Sequence, residues 1–460
     1  MDKSRLQPHF VHDKMTACYV HSLIASEWIT KDTELEIQTL SGNEPEPVTE
    51  SEGLQTEDQN QASVVYCKKG VKHAPTIVRS RHLTKGQLSD MIWNVRKLSN
   101  KLGSIKLMPT VKNIFVVCKA HDESLVSLTR EVTRWLLSKD RDTMYVVYVE
   151  HRLETYEAFR ALELVQDEPS AKDRLKYWDL NLAQEQPQLC DFIITLGGDG
   201  TVLYTSWLFQ QIVPPVLSFA LGSLEFLTKF DFGDFKNTLE NAFRDGVVVS
   251  LRLRFECTVM RNKARLEDPQ SRALSNRDLV EELTEEEGDD SLTHIPGQVR
   301  EILNDVVLDR GPNPTMSQIE LFGDDEHFTT LLADGICIAT PTGSTAYNLA
   351  AGGSLSHPEN PVIMVTAICA HTLSFRPIIL PDTVVLRMGV PYDARTSSWA
   401  SFDGRERVEI HPGDYVTVSA SRYPFATVLP KWEQGEDWVH NISKSLNWNS
   451  RQKQKGFKVT

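Results

Sequence analysis

The chain has 460 residues, of which 40% are hydrophobic and 24% charged, and its formal net charge is −14. This length suits about two to three domains, and the composition is that of a globular protein with a full hydrophobic core. The acidic balance argues against a nucleic-acid-binding surface, which needs clustered lysine and arginine. No apolar run reaches the ~18 residues of a membrane span, and the sequence starts without the apolar stretch of a signal peptide. We therefore predict a cytoplasmic protein that binds neither nucleic acid nor membrane.

Seven cysteines are scattered along the chain without a CxxC pair or a zinc-binding spacing. This usage is typical of reduced, buried thiols in a cytosolic protein. We expect no metal site built from cysteine and histidine ligands.

The sequence pattern predicts four segments. Residues 1–80 are mostly polar and are predicted to be a disordered extension. Residues 81–247 begin with a helix after Thr84 and then alternate apolar strands with helical patterns, which indicates an α/β domain with a parallel sheet. Residues 248–425 contain short strands separated by turn signals, which indicates a mainly β domain. Residues 426–460 look helical and are predicted to return to the first domain.

Two details of the second domain are also predicted. Apolar residues from Leu251 to Val259 alternate with polar ones, including Arg252 and Arg254, as in a single half-buried antiparallel strand. Residues 262–297 form a charged insertion, and its acidic run from Glu281 to Asp290 is interpreted as a solvated loop.

The most informative segment runs from Asp191 to Thr201. A β-branched and aromatic strand leads into Gly197-Gly198-Asp199-Gly200-Thr201, and apolar residues then resume at helical spacing. Strand, glycine turn and helix N-terminus together favour an anion site, most naturally for phosphate. A tight strand–helix connection with an aspartate N-cap is the alternative.

Two later segments carry polar groups in apolar surroundings. Asn304-Asp305 lies within an apolar strand and could bind an adenine edge or ribose hydroxyls, although a strand end with an Asx turn explains it as well. The run from Thr340 to Asn348 combines glycine, hydroxyls and an aromatic ring, which indicates a binding loop, with a Ser/Thr helix cap as the ordinary alternative.

In this order, the glycine turn, Asn304-Asp305, Thr340–Tyr347 and Phe402-Asp403-Gly404-Arg405 resemble the motifs of NAD kinases, most closely the cytosolic, fungal-type enzymes. The resemblance runs from about Val111 to Trp448. It implies a Rossmann-like α/β domain, a β-sandwich domain, a site between them, and usually a homo-oligomer. The implied reaction is ATP-dependent phosphorylation of the 2′-hydroxyl of the adenosine ribose of NAD, with Mg²⁺ on the phosphates.

The resemblance also implies roles for individual residues. Asp199 matches the catalytic aspartate, and a carboxylate there could accept the proton of the ribose hydroxyl as the P–O bond forms. The implied contacts with the nucleotides are Gly198, Gly200, Thr201, Phe226, Asn304, Asp305, Asp334, Ser344, Thr345, Ala346, Tyr347, Asn348 and Arg405.

Two positions depart from the family pattern. Glu225 and Ala333 stand where the family usually has glycine, and Glu225 could strain its loop or alter the site. Two rival functions therefore stay open: a lipid kinase of the diacylglycerol or sphingosine type, and a non-catalytic NADP(H)-binding regulator.

Overall fold

The computed structural model describes residues 64–65, 83–104, 106–119, 122–222, 226–267, 278–284, 293–372, 374–430 and 436–448. Most of the predicted extension, Glu225 and the residues after 448 lie outside this part. Ten α-helices lie within it: α1 (Lys85–Ser104), α2 (Glu123–Leu137), α3 (Ala161–Asp167), α4 (Leu180–Glu185), α5 (Asp199–Leu208), α6 (Phe235–Asp245), α7 (Lys263–Glu267), α8 (Leu279–Thr284), α9 (Tyr347–Ala350) and α10 (Glu436–Ser445).

The strands of the described residues fall into four sheets. In the first half of the chain they are β1 (Val64–Val65), β2 (Lys106–Leu107), β3 (Asn113–Cys118), β4 (Val146–Glu150), β5 (Leu175–Trp178), β6 (Phe192–Gly197), β7 (Val216–Ala220), β8 (Phe230–Asp231) and β9 (Val248–Arg252). In the second half they are β10 (Phe255–Asn262), β11 (His294–Ile302), β12 (Asp305–Asp309), β13 (Ser317–Gly323), β14 (Glu326–Ala333), β15 (Gly335–Ala339), β16 (Val362–Ile368), β17 (Ile378–Pro381), β18 (Leu386–Gly389), β19 (Ser398–Phe402), β20 (Glu406–Ile410), β21 (Tyr415–Ala420) and β22 (Phe425–Leu429).

The first domain is built on an eight-stranded sheet in the order β5-β4-β3-β6-β7-β22-β9, with β8 beside β7. All its pairs are parallel except β22 with β9. Alternate residues of β3 enter two different cores: Ile114 and Val116 pack on one face of the sheet, and Phe115 and Val117 on the other. Because both faces of the sheet are covered, apolar residues follow one another without interruption from Ile114 to Cys118 of this strand.

The second domain is a sandwich of two six-stranded antiparallel sheets, β11-β10-β21-β18-β13-β14 and β17-β16-β15-β12-β19-β20. One core contains residues of both sheets, such as Phe255 and Ile319 of the first with Val306 and Ile336 of the second. The predicted fold class, an α/β domain followed by a β-sandwich, is confirmed.

The single strand predicted around residues 251–259 is wrong. Val248–Arg252 is the edge strand β9 of the first sheet, and β10 starts a new sheet at Phe255. Arg254, predicted to face solvent, is fully buried between them. Apolar and polar residues continue to alternate from β9 into β10. The sequence pattern therefore gave no sign of the boundary between the two sheets.

Two further expectations need correction. The residues from 426 onward were predicted to be helical, but the apolar run Phe425–Leu429 is strand β22, and helix α10 follows it. Within the charged insertion, Glu281 and Glu282 lie in helix α8 rather than in a loop, because Leu279 and Leu283 of this helix are buried against the second domain.

Helix α1 crosses both domains. Thr84 and Gln87 exchange hydrogen bonds of 3.0 and 3.3 Å at its start, which confirms the predicted cap at Thr84. Leu88 packs on the second domain, whereas Leu98 and Leu102 enter the core of the first. The helix thus joins the two cores.

A buried guanidinium also joins the two domains. Arg254 donates to the carbonyl of Tyr423 at 2.5 Å, to those of Phe209 and Gln210 at 2.9 and 2.8 Å, and to Ser206 at 3.3 Å. Three of these carbonyls are at the C-terminal end of α5, where the helix dipole favours a cation. Burial lowers the pKa of Arg254 to about 10, so it stays charged at neutral pH.

Arg254→Ala should lower the free energy of unfolding by about 3–5 kcal/mol, because it leaves several buried carbonyls without donors. Urea denaturation of the purified protein measures this loss. Arg395→Ala, at an exposed arginine, is the matched control and should change stability by less than about 0.5 kcal/mol. Equal stability of the two variants would contradict the role given to Arg254.

Candidate functional site

The glycine turn joins the carboxyl end of β6 to the start of α5. A side chain at Gly197 would place its Cβ 2.3 Å from Oγ1 of Thr201, so glycine is required there. Among the described residues, a Cβ at Gly200 would meet no atom within 4 Å apart from its chain neighbours and the backbone of its own helix. The first turn of α5 therefore has an open face, although the amide of Thr201 already donates to the carbonyl of Gly198 at 2.9 Å.

Asp199 is the first residue of α5. Its carboxylate accepts hydrogen bonds from the amides of Phe226 and Leu227, at 3.2 and 3.0 Å. Burial raises the pKa of Asp199, and these amides partly oppose the rise. The turn thus holds a half-buried carboxylate with increased proton affinity beside the N-terminus of a helix.

The Asn304-Asp305 pair lies at the start of β12. The two residues are 8% and 6% exposed. Oδ1 of Asn304 is buried and has no hydrogen-bond partner among the described residues. An unsatisfied buried oxygen costs about 1–3 kcal/mol, and a ligand that donates a hydrogen bond would recover this energy.

The Thr340–Tyr347 segment packs directly on this pair. Thr340 donates through its amide to the carbonyl of Asn304 at 2.9 Å and through its hydroxyl to that of Leu303 at 2.5 Å. A Cβ at Gly343 would lie 2.2 Å from the carbonyl oxygen of Asn304, so only glycine fits there. The predicted binding loop is therefore a tight 3-10 turn, Thr342–Thr345, that supports Asn304.

The structure gives several predicted contact residues partners within the protein. Ser344 and Asn348 are fully buried. Ser344 donates to the carbonyl of Ser356 at 3.0 Å, and Asn348 donates to that of Ser354 at 3.0 Å and accepts from Thr366 at 2.8 Å. Their side chains shape the segment.

The remaining predicted residues are placed as follows. Asp334 forms an ion pair with Arg310 at 3.0 Å. Tyr347 is 46% exposed and lies near Asp305. Thr345 and Ala346 are half-buried. Thr201 packs against Gly197, and Gly198 is the N-cap of α5. The amide of Phe226 donates to the carboxylate of Asp199.

The turn after β19 connects the two halves of the site. Nη2 of Arg405 donates to the carbonyl of Gly200 at 3.2 Å, and its guanidinium lies 4.7 Å from the ring centroid of Tyr204. The carboxylate of Asp403 accepts the amides of Leu303 and Asn304 at 2.9 and 2.7 Å. Sequence reasoning missed Asp403 as a site residue, although it lies in the Phe402-Asp403-Gly404-Arg405 motif on which the family resemblance rests in part.

Comparison with known proteins identifies the family. Residues 114–247 match the model of the ATP-NAD kinase N-terminal domain, and residues 303–429 match that of the ATP-NAD kinase C-terminal domain. The chain belongs to the ATP-NAD kinase family. The family predicted from the motifs is thus confirmed.

Fungal proteins are among the relatives of this ATP-NAD kinase family member. It is 42% identical to the NAD(+) kinase of Saccharomyces cerevisiae over 81% of this chain and 67% of that protein. It is 44% identical to an uncharacterized kinase of Schizosaccharomyces pombe, over 79% and 86% of the two chains. Among solved structures, yeast NADH kinase complexed with NADH has a TM-score of 0.59 and 29% identity, over 75% of this chain and 90% of that one.

Three global expectations can be compared with the described residues. Within the described residues, no helix is long and apolar enough to cross a membrane. Among the same residues, no group of three or more histidine, cysteine or acidic side chains is arranged to hold a metal ion. Of the five cysteines described, four are buried, but Cys369 is exposed, contrary to the prediction; Cys18 and Cys67 lie outside this part.

The carboxyl group of Asp305 has a higher proton affinity than an ordinary aspartate. Burial, and then the negative charge of Asp403, raise the pKa of Asp305 from 3.8 to about 7. Since the folded chain holds this proton more tightly than the unfolded chain, the free energy of unfolding falls as pH rises from about 4 to about 7.

Asp305→Asn should remove this loss of stability. The free energy of unfolding of the variant minus that of wild type should increase by up to about 4 kcal/mol from about pH 4 to about pH 8. This amount corresponds to about 1.4 kcal/mol for each unit by which the pKa of Asp305 is raised. Denaturant unfolding across this range measures the difference. A difference between Asp305→Asn and wild type that does not vary with pH would refute the raised pKa of Asp305.

Proposed function

We propose that the protein is an ATP-dependent NAD kinase that transfers the terminal phosphoryl group of ATP to the 2′-hydroxyl of the adenosine ribose of NAD. The observation that carries the proposal is the unpartnered Oδ1 of Asn304, which is buried on the segment joined by Asp403 and Arg405 to the glycine turn. The S. cerevisiae relatives named NAD(+) kinase and ATP-NADH kinase support the same reaction.

The phosphates of ATP are assigned to the N-terminus of α5. Gly200 leaves open space at the first turn of this helix. Backbone amides and the positive end of the helix dipole stabilise phosphate oxygens at such a position. Gly198 and Thr201 complete this part of the site.

Asp199 is proposed as the general base. As the 2′-oxygen of the ribose forms its bond to phosphorus, the hydroxyl proton passes to the Asp199 carboxylate, and ADP leaves. Burial raises the pKa of this carboxylate, which improves its match to the task. The amides of Phe226 and Leu227 hold it in place.

NAD is assigned to the surface around β12 and the Thr340–Tyr347 segment. The amide oxygen of Asn304 is proposed to accept a hydrogen bond from NAD, since an unpaired buried acceptor requires a donor. The neighbouring carboxyl group of Asp305 is proposed to accept another. The further residues assigned to the bound nucleotides are Phe226, Asp334, Ser344, Thr345, Ala346, Tyr347, Asn348 and Arg405. Ser344 and Asn348 contribute by shaping the backbone, since their side chains bond within the protein.

Mg²⁺ is proposed to enter with ATP. The described residues offer no cluster of three acidic or imidazole ligands, but this agrees with an ion that takes most of its ligands from phosphates and water. Asp199 is the carboxylate nearest the phosphate position in this proposal. When bound, the ion neutralises charge that develops on the phosphate oxygens.

A homo-oligomer and a cytoplasmic location are further parts of the proposal, and both rest on the family resemblance.

The two rival functions make different predictions: a lipid kinase would phosphorylate diacylglycerol or sphingosine, and a regulator would bind NADP(H) without turnover. A coupled assay with ATP, Mg²⁺ and either NAD or NADH separates them and also gives the preferred acceptor.

Asp199→Asn should abolish NADP formation while folding and NAD binding remain nearly intact. The amide keeps the shape of the side chain but is too weak a base to accept the proton. Turnover and calorimetric NAD binding are measured together. Asp278→Asn is the control. Asp278 also accepts a hydrogen bond from a backbone amide, that of Val280 at 2.8 Å, but it lies at the start of helix α8 and not at the glycine turn. Undiminished turnover in Asp199→Asn would rule out Asp199 as the general base.

Gly200→Ala should separate folding from phosphate binding. Outside its own helix, a methyl group there meets no atom of the described residues, and replacing a helical glycine by alanine favours the helix by up to about 1 kcal/mol. Stability should therefore stay equal or increase, whereas the KM for ATP should increase at least about tenfold because the methyl group occupies the proposed phosphate position. An unchanged KM for ATP would place the phosphates elsewhere.

A further inference from the structure

The turn Asp403–Arg405 between β19 and β20 contacts both halves of the proposed site. Its arginine reaches the first turn of α5 through the carbonyl of Gly200. Its aspartate reaches the Asn304-Asp305 segment. Three consecutive residues therefore span the distance between the proposed phosphate position and the proposed NAD position.

Asp403 binds this segment through three consecutive backbone amides. Its carboxylate accepts from Leu303 at 2.9 Å, from Asn304 at 2.7 Å and from Asp305 at 3.1 Å. In return, the amide of Asp403 donates to the carbonyl of Asp305 at 3.0 Å. Successive amides that converge on one carboxylate form an anion nest, which fixes the direction of each peptide unit.

The backbone of the turn directs this carboxylate. Asp403 has φ 48° and Gly404 has φ 66°, and the amide of Arg405 donates to the carbonyl of Phe402 at 3.0 Å. Positive φ at both central residues is typical of a type I′ hairpin turn, for which Asp-Gly is a preferred sequence. The conformation of the hairpin thus places the carboxylate at the amides.

We propose that Asp403 is a positioning residue for the kinase reaction: it fixes the backbone that presents Asn304 and Asp305 to NAD, and its negative charge acts on the Asp305 carboxyl group. The inference rests on the proposed function, in which these two residues bind NAD. Asp403 itself contacts backbone and not the reacting atoms.

Several charged or titratable groups surround Asp305. Asp403 faces it from the hairpin turn, Cys337 from the neighbouring strand β15 and Tyr347 from α9. Burial raises the pKa of Asp403, whereas the amides of residues 303–305 and the charge of Arg254 lower it. Arg405 also interacts electrostatically with Asp403. Among these neighbours, the charge of Asp403 adds to burial in raising the pKa of Asp305.

The first experiment uses the ligand-free, full-length protein. The free energy of unfolding is measured against pH for wild type and Asp305→Asn, and again for Asp403→Asn and the double variant. In each pair, the difference between the two proteins changes with pH as Asp305 loses its proton, and the midpoint of this change is determined. Loss of the Asp403 charge should move the midpoint to lower pH by at least about 0.5 pH units. Asp414→Asn, at another buried carboxylate that accepts a backbone amide, is the matched control and should leave the midpoint in place.

An unchanged midpoint in folded Asp403→Asn would overturn the electrostatic part of the inference. Because this readout requires neither NAD nor turnover, it stays valid if the proposed function fails. Absence of NADP formation by the wild-type enzyme, in contrast, would refute the proposed function and leave the pH result standing.

The second experiment tests positioning and does not depend on the folding of Asp403→Asn. Asp403→Glu retains the charge but moves the carboxylate by one methylene, so the amides of residues 303–305 must shift. The KM for NAD should increase at least about fivefold, whereas the KM for ATP should change less than about twofold. An unchanged KM for NAD, or equal increases of both KM values, would overturn the inference.

Discussion

The structure depends on the charge of one buried arginine between its two domains. Arg254 binds the carbonyls at the C-terminal end of α5 and that of Tyr423, on the connection from β21 to β22. The same helix begins at the glycine turn, and Arg405 holds that end from the second domain. Helix α5 is therefore fixed to the second domain at both ends, so the glycine turn keeps its position relative to Asn304.

Apolar patterns predicted the fold, because burial of whole strands leaves a direct signal in the sequence. Apolar strands that alternate with helical patterns indicated the parallel sheet, and the turn signals after residue 248 indicated the mainly β domain. The same reasoning failed around Arg254, where a buried arginine occupies a position that alternation assigns to solvent. Its partners are main-chain carbonyls some 44–48 residues earlier and 169 residues later, and carbonyls carry no sequence signal.

The site could be predicted only in part, for a similar reason. Asp199, Asn304 and Asp305 stand out because polar residues interrupt apolar segments. Asp403 does not stand out, since its Asp-Gly dipeptide suits an ordinary turn, and its partners are again backbone amides. Ser344 and Asn348 show the converse: their residue types suggest ligand contacts, yet tertiary packing directs their side chains to the carbonyls of Ser356 and Ser354.

Strand β22 has a consequence for the order in which the chain can fold during synthesis. It lies between β7 and β9 in the sheet of the first domain, although more than 170 residues of chain separate it from β9. Until residues 425–429 leave the ribosome, the edge of β7 lacks this neighbour and β9 lacks its main-chain partner in the sheet. An unpaired edge can pair with other chains, so the nascent first domain is exposed to aggregation until the second domain has been synthesised.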